Sequence, residues 1–361
     1  MATTSIMLHK LQEGMIIAED VYHNSQLLVQ KDTVVNSDVM DILNNSSVIV
    51  ISIYEDDGDT PPATDAKAVQ LSRTEKLRSS ETFQKFESSF QETTQEFSFK
   101  LNDIASHTGS IDLDSLFDSA NELMSQTTNT YQLMEILSNI RYFDDSTYAH
   151  SLNVAMLVNI FGRWLNYNDD DIKLLTVAGM LHDIGKILIP PEIIKKPGRL
   201  TKEEFDIIKQ HPMKGYQLLN ERKVDIRVCQ AALMHHEKCD GSGYPLGVKG
   251  DKIPEIGKII TIVDIYEALT ANRCYREGIC PFEVIKMYED EGYQKYESKF
   301  LVPFLRGISD TYLHNTVLLS DGRKGEIIMT NQMNPSRPGV LVDGQYVDLT
   351  KAPELTIQAI V

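Results

Sequence analysis

Between residues 150 and 264 the chain carries five of its nine histidines and two aspartates set in apolar surroundings. His182 and Asp183 interrupt the stretch "GMLHDIGKILIPP", and Asp264 interrupts "IGKIITIVDIYEAL". A carboxylate on a buried face is costly unless it is paired or bound to a metal. His150 shares a helical stripe with Val154, Leu157 and Phe161, and His211 follows Ile207 and Ile208. His235 and His236 end the apolar run "VDIRVCQAALMHHEK". Taken singly, each has a bland alternative: a packed core histidine for His150, an ion pair with Arg273 or Lys186 for Asp264. Together, imidazoles and carboxylates on successive helices point to metal. A mixed nitrogen and oxygen set without thiolate pairs favours iron, manganese or a related divalent ion over structural zinc. An imidazole binds one cation, whereas the two oxygens of Asp183 can bridge two, so two ions are expected there.

These side chains need a helical frame. "YAHSLNVAMLVNIFGRWL" reads as a core helix, and "DIKLLTVAGML" as another that ends at His182 and Asp183. Thr201 and Glu204 form a capping box for "TKEEFDIIKQH", with Pro212 expected to end or kink that helix just after His211. The turn formers of "DGSGYP" predict a loop that lets backbone approach a ligand. Around this frame, residues 1–56 alternate β-like runs ("GMIIAEDVY", "QLLVQ", "SVIVISIY") with a short helix near Ser37 to Asn44, a small β-rich module. Residues 57–66 read as a linker. Residues 67–108 place Phe83, Phe86, Phe90, Phe97, Leu101 and Ile104 on one helical stripe. That stripe suits either a dimerising, signal-transmitting coiled coil or a helix packed on its own chain. The helical domain spans 109–310. In 311–361, "TVLLSDGRKGEIIMT" and "GVLVDGQYVDLT" each centre on Asp-Gly, a strong hairpin signal.

The expected fold class is therefore mainly α, with small β-rich modules at both ends. A formal net charge of −17 argues against a long nucleic-acid partner while leaving room for one small phosphorylated ligand. No run of eighteen apolar residues occurs, so no membrane span is expected. The N-terminus lacks a basic region followed by an apolar core, and the four cysteines form no C-x-x-C pair. Free thiols in a cytoplasmic protein are the expectation.

"AGMLHDIGK", then "HHEKCDGSGYPLG", then "IVDIYEALTANRCYR" resemble, in order, the motifs of the HD-GYP family, a branch of the HD-domain phosphohydrolases. The resemblance covers about residues 140–310 and implies an HD-type helical bundle. It also implies a cytoplasmic cyclic di-GMP phosphodiesterase that yields linear pGpG and, in some members, GMP. By position, His150, His182, Asp183 and Asp264 would hold one metal, and Asp183 would bridge to a second held by His211, His235 and His236. Lys186, Tyr244, Arg273 and Arg276 match positions that contact the dinucleotide, with Asp183 and Lys186 at the reacting phosphate. Glu267 stands where the family usually has Asp, a mild departure. The alternatives are an HD hydrolase of another cyclic nucleotide, or a receptor with little turnover.

Two cations suit this chemistry. A phosphodiester resists attack because its anionic oxygens repel the nucleophile, and a water bridging two metals loses a proton near neutral pH. Some family members bind a third metal through a glutamate one turn before the residue matching His150. Here that position is Ser146, a poor ligand, so two ions are expected unless Asp144 or Asp145 reaches in.

Overall fold

In the computed structural model, the described residues are 3–12, 14–23, 26–36, 39–40, 43, 50–54, 73–106, 110–140, 147–196, 198–271 and 278–361. The chain divides into two compact units, Met1–Gln84 and Lys85–Val361. The fold class is as expected, helical in the main with small separate sheets towards each end.

In the first unit, β1 (Thr3–Met7) pairs antiparallel with β4 (Val50–Tyr54), and β2 (Val21–His23) with β3 (Gln26–Val29). Leu11, Ile17, Val29, Val35, Val39, Leu43, Ile51 and Ile53 form its core. Only Val21–His23 lies in a strand at the end of "GMIIAEDVY"; Ile16 and Ile17 contribute isolated bridges to Val34 and Ile53. Most of the short helix expected near Ser37 to Asn44 lies outside the described residues. Helix α1 (Arg73–Ser79) follows.

Helix α2 (Glu81–Ser106) carries the predicted apolar stripe, and Phe86, Phe90, Phe97 and Leu101 are buried. Phe97 meets the Tyr148 ring edge-on. Helices α3 (Leu113–Ser125) and α4 (Thr130–Asn139) are each opened by a side-chain cap, Asp112 and Asn129. They lead to α5 (Thr147–Trp164), buried continuously from Ala149 to Gly162. A helix apolar all round belongs at a bundle's centre. Next come α6 (Asp169–Leu181), α7 (Pro191–Ile194), α8 (Lys202–Ile208), α9 (His211–Glu221), α10 (Ile226–Met234), α11 (Glu255–Thr270), α12 (Pro281–Lys295) and α13 (Ser298–Thr311). A Cβ on Gly179 would lie 2.8 Å from the Ala155 Cα, so a glycine in α6 allows close approach to α5.

The chain ends in a five-stranded antiparallel sheet of β5 (Thr316–Leu319), β6 (Lys324–Met329), β7 (Gly339–Val342), β8 (Gln345–Asp348) and β9 (Ile357–Ile360). Its strand order is β8-β7-β6-β5-β9. Both Asp-Gly hairpins form, and Asp343 and Gly344 take the positive φ values, 49° and 76°, that such a turn requires. The sheet is tied to the helices where Ser309 Oγ donates to Pro335 O and Ser336 N donates to Glu289. Cys229, Cys239 and Cys280 are free thiols.

Candidate metal centre

Five helices and two turns bring the histidines and aspartates together. His150 lies in the first turns of α5 and Asp264 in the middle of α11. His182 caps the C-terminus of α6, and Asp183 opens a 3₁₀ turn over Ile184–Leu188. His235 caps α10, with His236 beyond it. His211 departs from expectation, for it opens α9 rather than closing α8, and Pro212 occupies the first turn, where its missing N–H costs nothing. The capping box of Thr201 and Glu204 forms as expected.

Gly185 makes the approach of α9 possible. A Cβ there would lie 1.9 Å from His211 O and 2.6 Å from Gly215 N, both backbone atoms. The glycine thus lets the 3₁₀ turn bring Asp183 against His211.

The ligand atoms fall into two groups, Asp183 with His211, His235 and His236, and His150 with His182 and Asp264. Asp183 faces both. Its Oδ1 is 3.1 Å from His211 Nε2 and 3.5 Å from His235 Nε2. Its Oδ2 is 3.4 Å from His182 Nε2 and 3.7 Å from His150 Nε2. Asp264 Oδ1 lies 2.9 Å from His150 Nε2 and 3.8 Å from His182 Nε2, while its Oδ2 is 3.8 Å from His236 Nδ1.

The outer ring nitrogens decide the tautomers. His182, His211 and His235 each direct Nδ1 at a backbone carbonyl, of Gly179 (2.7 Å), Ile208 (2.8 Å) and Ala232 (2.9 Å). A carbonyl only accepts, so each Nδ1 carries a proton, which leaves Nε2 facing inward as the nitrogen that would bind a metal. The inward nitrogens of His211 and His235 are 3.2 Å apart, and buried His182 Nε2 and Asp183 Oδ1 make no hydrogen bond. Lone pairs facing lone pairs and a carboxylate, out of water, are repulsive unless cations lie among them. The residues present therefore fit divalent metal.

Electrostatics agree. Burial lowers His235 to about 4, and burial with the neighbouring His235 holds His236 well below its ordinary value, so both rings are neutral at pH 7 and able to bind a cation. Burial opposes ionisation of Asp183 and Asp264, yet the Lys186 ammonium outweighs it for the first and His150 for the second, and both stay well below the usual carboxylate range. His150 behaves differently: burial disfavours its charge, but Glu267 and Asp264 overcome this and raise it to about 10. Its Nδ1 donates to Glu267 Oε2, and Asn153 Nδ2 donates to Glu267 Oε1 at 3.3 Å.

Lys186 enters the site directly, with Nζ 2.5 Å from Asp183 Oδ2. It answers for Asp183, not for Asp264, which pairs with His150. Tyr244 stacks on His236 at 4.6 Å between ring centroids, and burial pushes its hydroxyl pKa up. Arg273 and Arg276, and with them Asp144, Asp145 and Ser146, lie outside the described residues.

Sequence reasoning missed Glu237. This buried carboxylate accepts N–H bonds from Leu246 (2.6 Å), Gly247 (3.1 Å) and Val248 (3.1 Å), folding the loop after His236 back on itself. The signal was an acid placed directly before a run of turn formers, where unpaired backbone donors accumulate. Glu267, read as a mild departure, holds Nδ1 of His150.

A family model described as HD domain matches residues 115–300. Over 57% of this chain and 50% of its own length, a cyclic di-GMP phosphodiesterase of Pseudomonas aeruginosa is 32% identical. A cyclic di-GMP phosphodiesterase response regulator of Xanthomonas campestris is 34% identical over 45% of this chain and 43% of its own. A 3′3′-cGAMP-specific phosphodiesterase of Vibrio cholerae is 38% identical over 40% of this chain and 34% of its own. The chain spans about half the length, or less, of the curated relatives it matches.

Proposed function

Because this chain belongs to the HD-domain family, we propose that it is a metal-dependent phosphodiesterase that hydrolyses cyclic di-GMP to linear pGpG, and onward to GMP. One observation carries the reading most: Asp183 turns one oxygen to each of two buried groups of candidate ligands, in which His182, His211 and His235 direct Nε2 inward. His150, His182 and Asp264 would hold one ion, and His211, His235 and His236 the other, with Asp183 shared. The mixed imidazole and carboxylate set favours iron or manganese. When bound, such ions neutralise charge growing on the phosphoryl oxygens and acidify water.

The chain's own residues do the rest. The carbonyls of Gly179, Ile208 and Ala232 fix the rings of His182, His211 and His235 so that Nε2 points inward, and Glu267 orients the ring of His150, whose inward proton a metal would displace. Lys186, about a quarter exposed along its side chain, brings an ammonium from the solvent side to the carboxylate and can hold a phosphate oxygen there. Tyr244, held by its stack on His236, offers an aromatic surface beside the centre. Arg273 and Arg276, in "LTANRCYR", are proposed as further contacts to the phosphate or a guanine edge. A second reading of the substrate, a mixed cyclic dinucleotide, is favoured by the name of the Vibrio cholerae relative.

The test is incubation of iron- or manganese-loaded protein with cyclic di-GMP, 3′3′-cGAMP and cyclic di-AMP, with products separated by chromatography. Release of pGpG and then GMP from cyclic di-GMP is expected. Turnover of 3′3′-cGAMP alone would move the substrate to the second reading, and binding without turnover would make the protein a receptor.

A further inference from the structure

We propose that Phe205 and Tyr244 form an aromatic corner that seats one nucleobase of a cyclic dinucleotide, with Phe205 as the stacking surface. This rests on the substrate class proposed above and adds a recognition residue that the motifs do not mark.

Phe205 sits on α8, a helix with no buried residue, so its ring does not serve a core. It is 45% exposed, an unusual placement for a phenylalanine that no packing role explains. The ring lies 6.5 Å from that of Tyr244 with the planes at 73°, and Tyr244 in turn stacks on the metal-ligand candidate His236. A row of rings thus runs from the metal centre outward to an exposed apolar face. Lys209 Nζ lies over the Phe205 ring at 5.3 Å and is paired with Asp206 Oδ1 at 2.5 Å.

The corner is also preformed. Glu237 pins the backbone of Leu246, Gly247 and Val248, and Asp240 accepts from Ser242 N and Oγ, so Tyr244 is carried on a loop fixed on both sides. A Cβ on Gly243 would meet His236 O, Glu237 Cα and Lys238 N at 2.5 Å, so the loop lies tight against the helix end. An ordered aromatic corner needs no rearrangement to receive a base, and every base has a π-face for it to meet. A cyclic dinucleotide carries a base close to each phosphodiester, so a phosphate at the metals would leave a base to be placed beside the centre.

Equilibrium dialysis of the metal-loaded full chain with a phosphorothioate analogue of cyclic di-GMP tests this, with inorganic phosphate as a base-free competitor. Phe205→Ala should raise Kd on the order of 10-fold, within the range of stacked-base contributions. Phe205→Trp should stay within about twofold of the native chain, and Phe205→Leu should behave like the alanine variant because it is apolar without a π-face. The inhibition constant of phosphate and the metal content should not move in any variant. An unchanged Kd in Phe205→Ala, a leucine variant equal to the native chain, or a loss of phosphate inhibition alongside the Kd would each overturn the assignment. Turnover of cyclic di-GMP by the native chain is scored separately, so a protein that binds without cleaving fails the proposed activity while still testing the corner. Absence of binding by the native chain would sink both.

Discussion

Gly185→Ala tests how the centre is assembled without touching a ligand. The added Cβ would lie 1.9 Å from His211 O and 2.6 Å from Gly215 N. An ordinary carbon-to-oxygen contact is about 3.3 Å or more, so the 3₁₀ turn and the start of α9 must separate by at least about 1.4 Å. Both atoms are backbone, and no side-chain rotation relieves the clash. Asp183 lies two residues before Gly185, and its Oδ1 is only 3.1 Å from His211 Nε2. Metal ligands tolerate displacements of about 0.2 Å, several times less than the shift required. Overpacking of this kind costs ~1–3 kcal/mol or more in stability. The variant should therefore lose the ion held by His211, His235 and His236 and fall at least 100-fold in turnover, while keeping native helical circular dichroism. Metal quantification per chain, circular dichroism and rate measurements on one preparation make the assay. A Gly185→Ala protein with full metal content and native turnover would refute the close approach of the turn to α9.

Asp183→Ala should abolish turnover and deplete both ions together, because the one side chain serves both groups; retention of either ion in full, by elemental analysis, would contradict the bridge. Glu267→Gln keeps the size of the side chain but weakens the acceptor for His150 Nδ1, and should lower metal affinity at the His150, His182 and Asp264 group by ~10- to 100-fold in competitive chelator titrations, with the other group unaffected. The metal-free protein should be most stable near pH 6.5. His235 is depressed to about 4, so the unfolded chain binds a proton the native chain does not, and stability falls as pH drops from 6.5 towards 4, by on the order of 3 kcal/mol. His150 is raised to about 10, so its contribution is present below 6.5 and is lost as pH rises towards 10. Urea midpoints at acid, neutral and alkaline pH check this, and a flat profile would contradict it. Arg276→Ala should spare metal content and raise KM, and loss of metal there would remove that arginine from the substrate.

Much of the centre was legible because helical periodicity reports which face a residue occupies. His150 with Val154 and Leu157, and Asp264 amid isoleucines and alanines, declared themselves as buried polar groups without a local partner. Paired elements at short range were equally plain, as the Thr201 and Glu204 cap and the two Asp-Gly hairpins show. Long-range pairings were not. β1 pairs with β4 across more than forty residues, and β9 returns to β5 from beyond an intervening hairpin pair, neither of which leaves a periodic mark. The role of Pro212 depended on whether α9 packed against Gly185, a tertiary contact that reverses the local rule. Glu267 and Glu237 were underread for a common reason: each acts through a partner, a ring nitrogen or three backbone N–H groups, that spacing does not reveal.

Anomalous scattering from crystals of the metal-loaded protein, measured at the absorption edge of the bound metal, tests the central claim most directly. The account predicts two well-occupied peaks, one within the His150, His182 and Asp264 group and one within the His211, His235 and His236 group, with one oxygen of Asp183 on each. A single peak, Asp183 bound to only one ion, or a third full-occupancy peak held by Asp144 or Asp145 would contradict it.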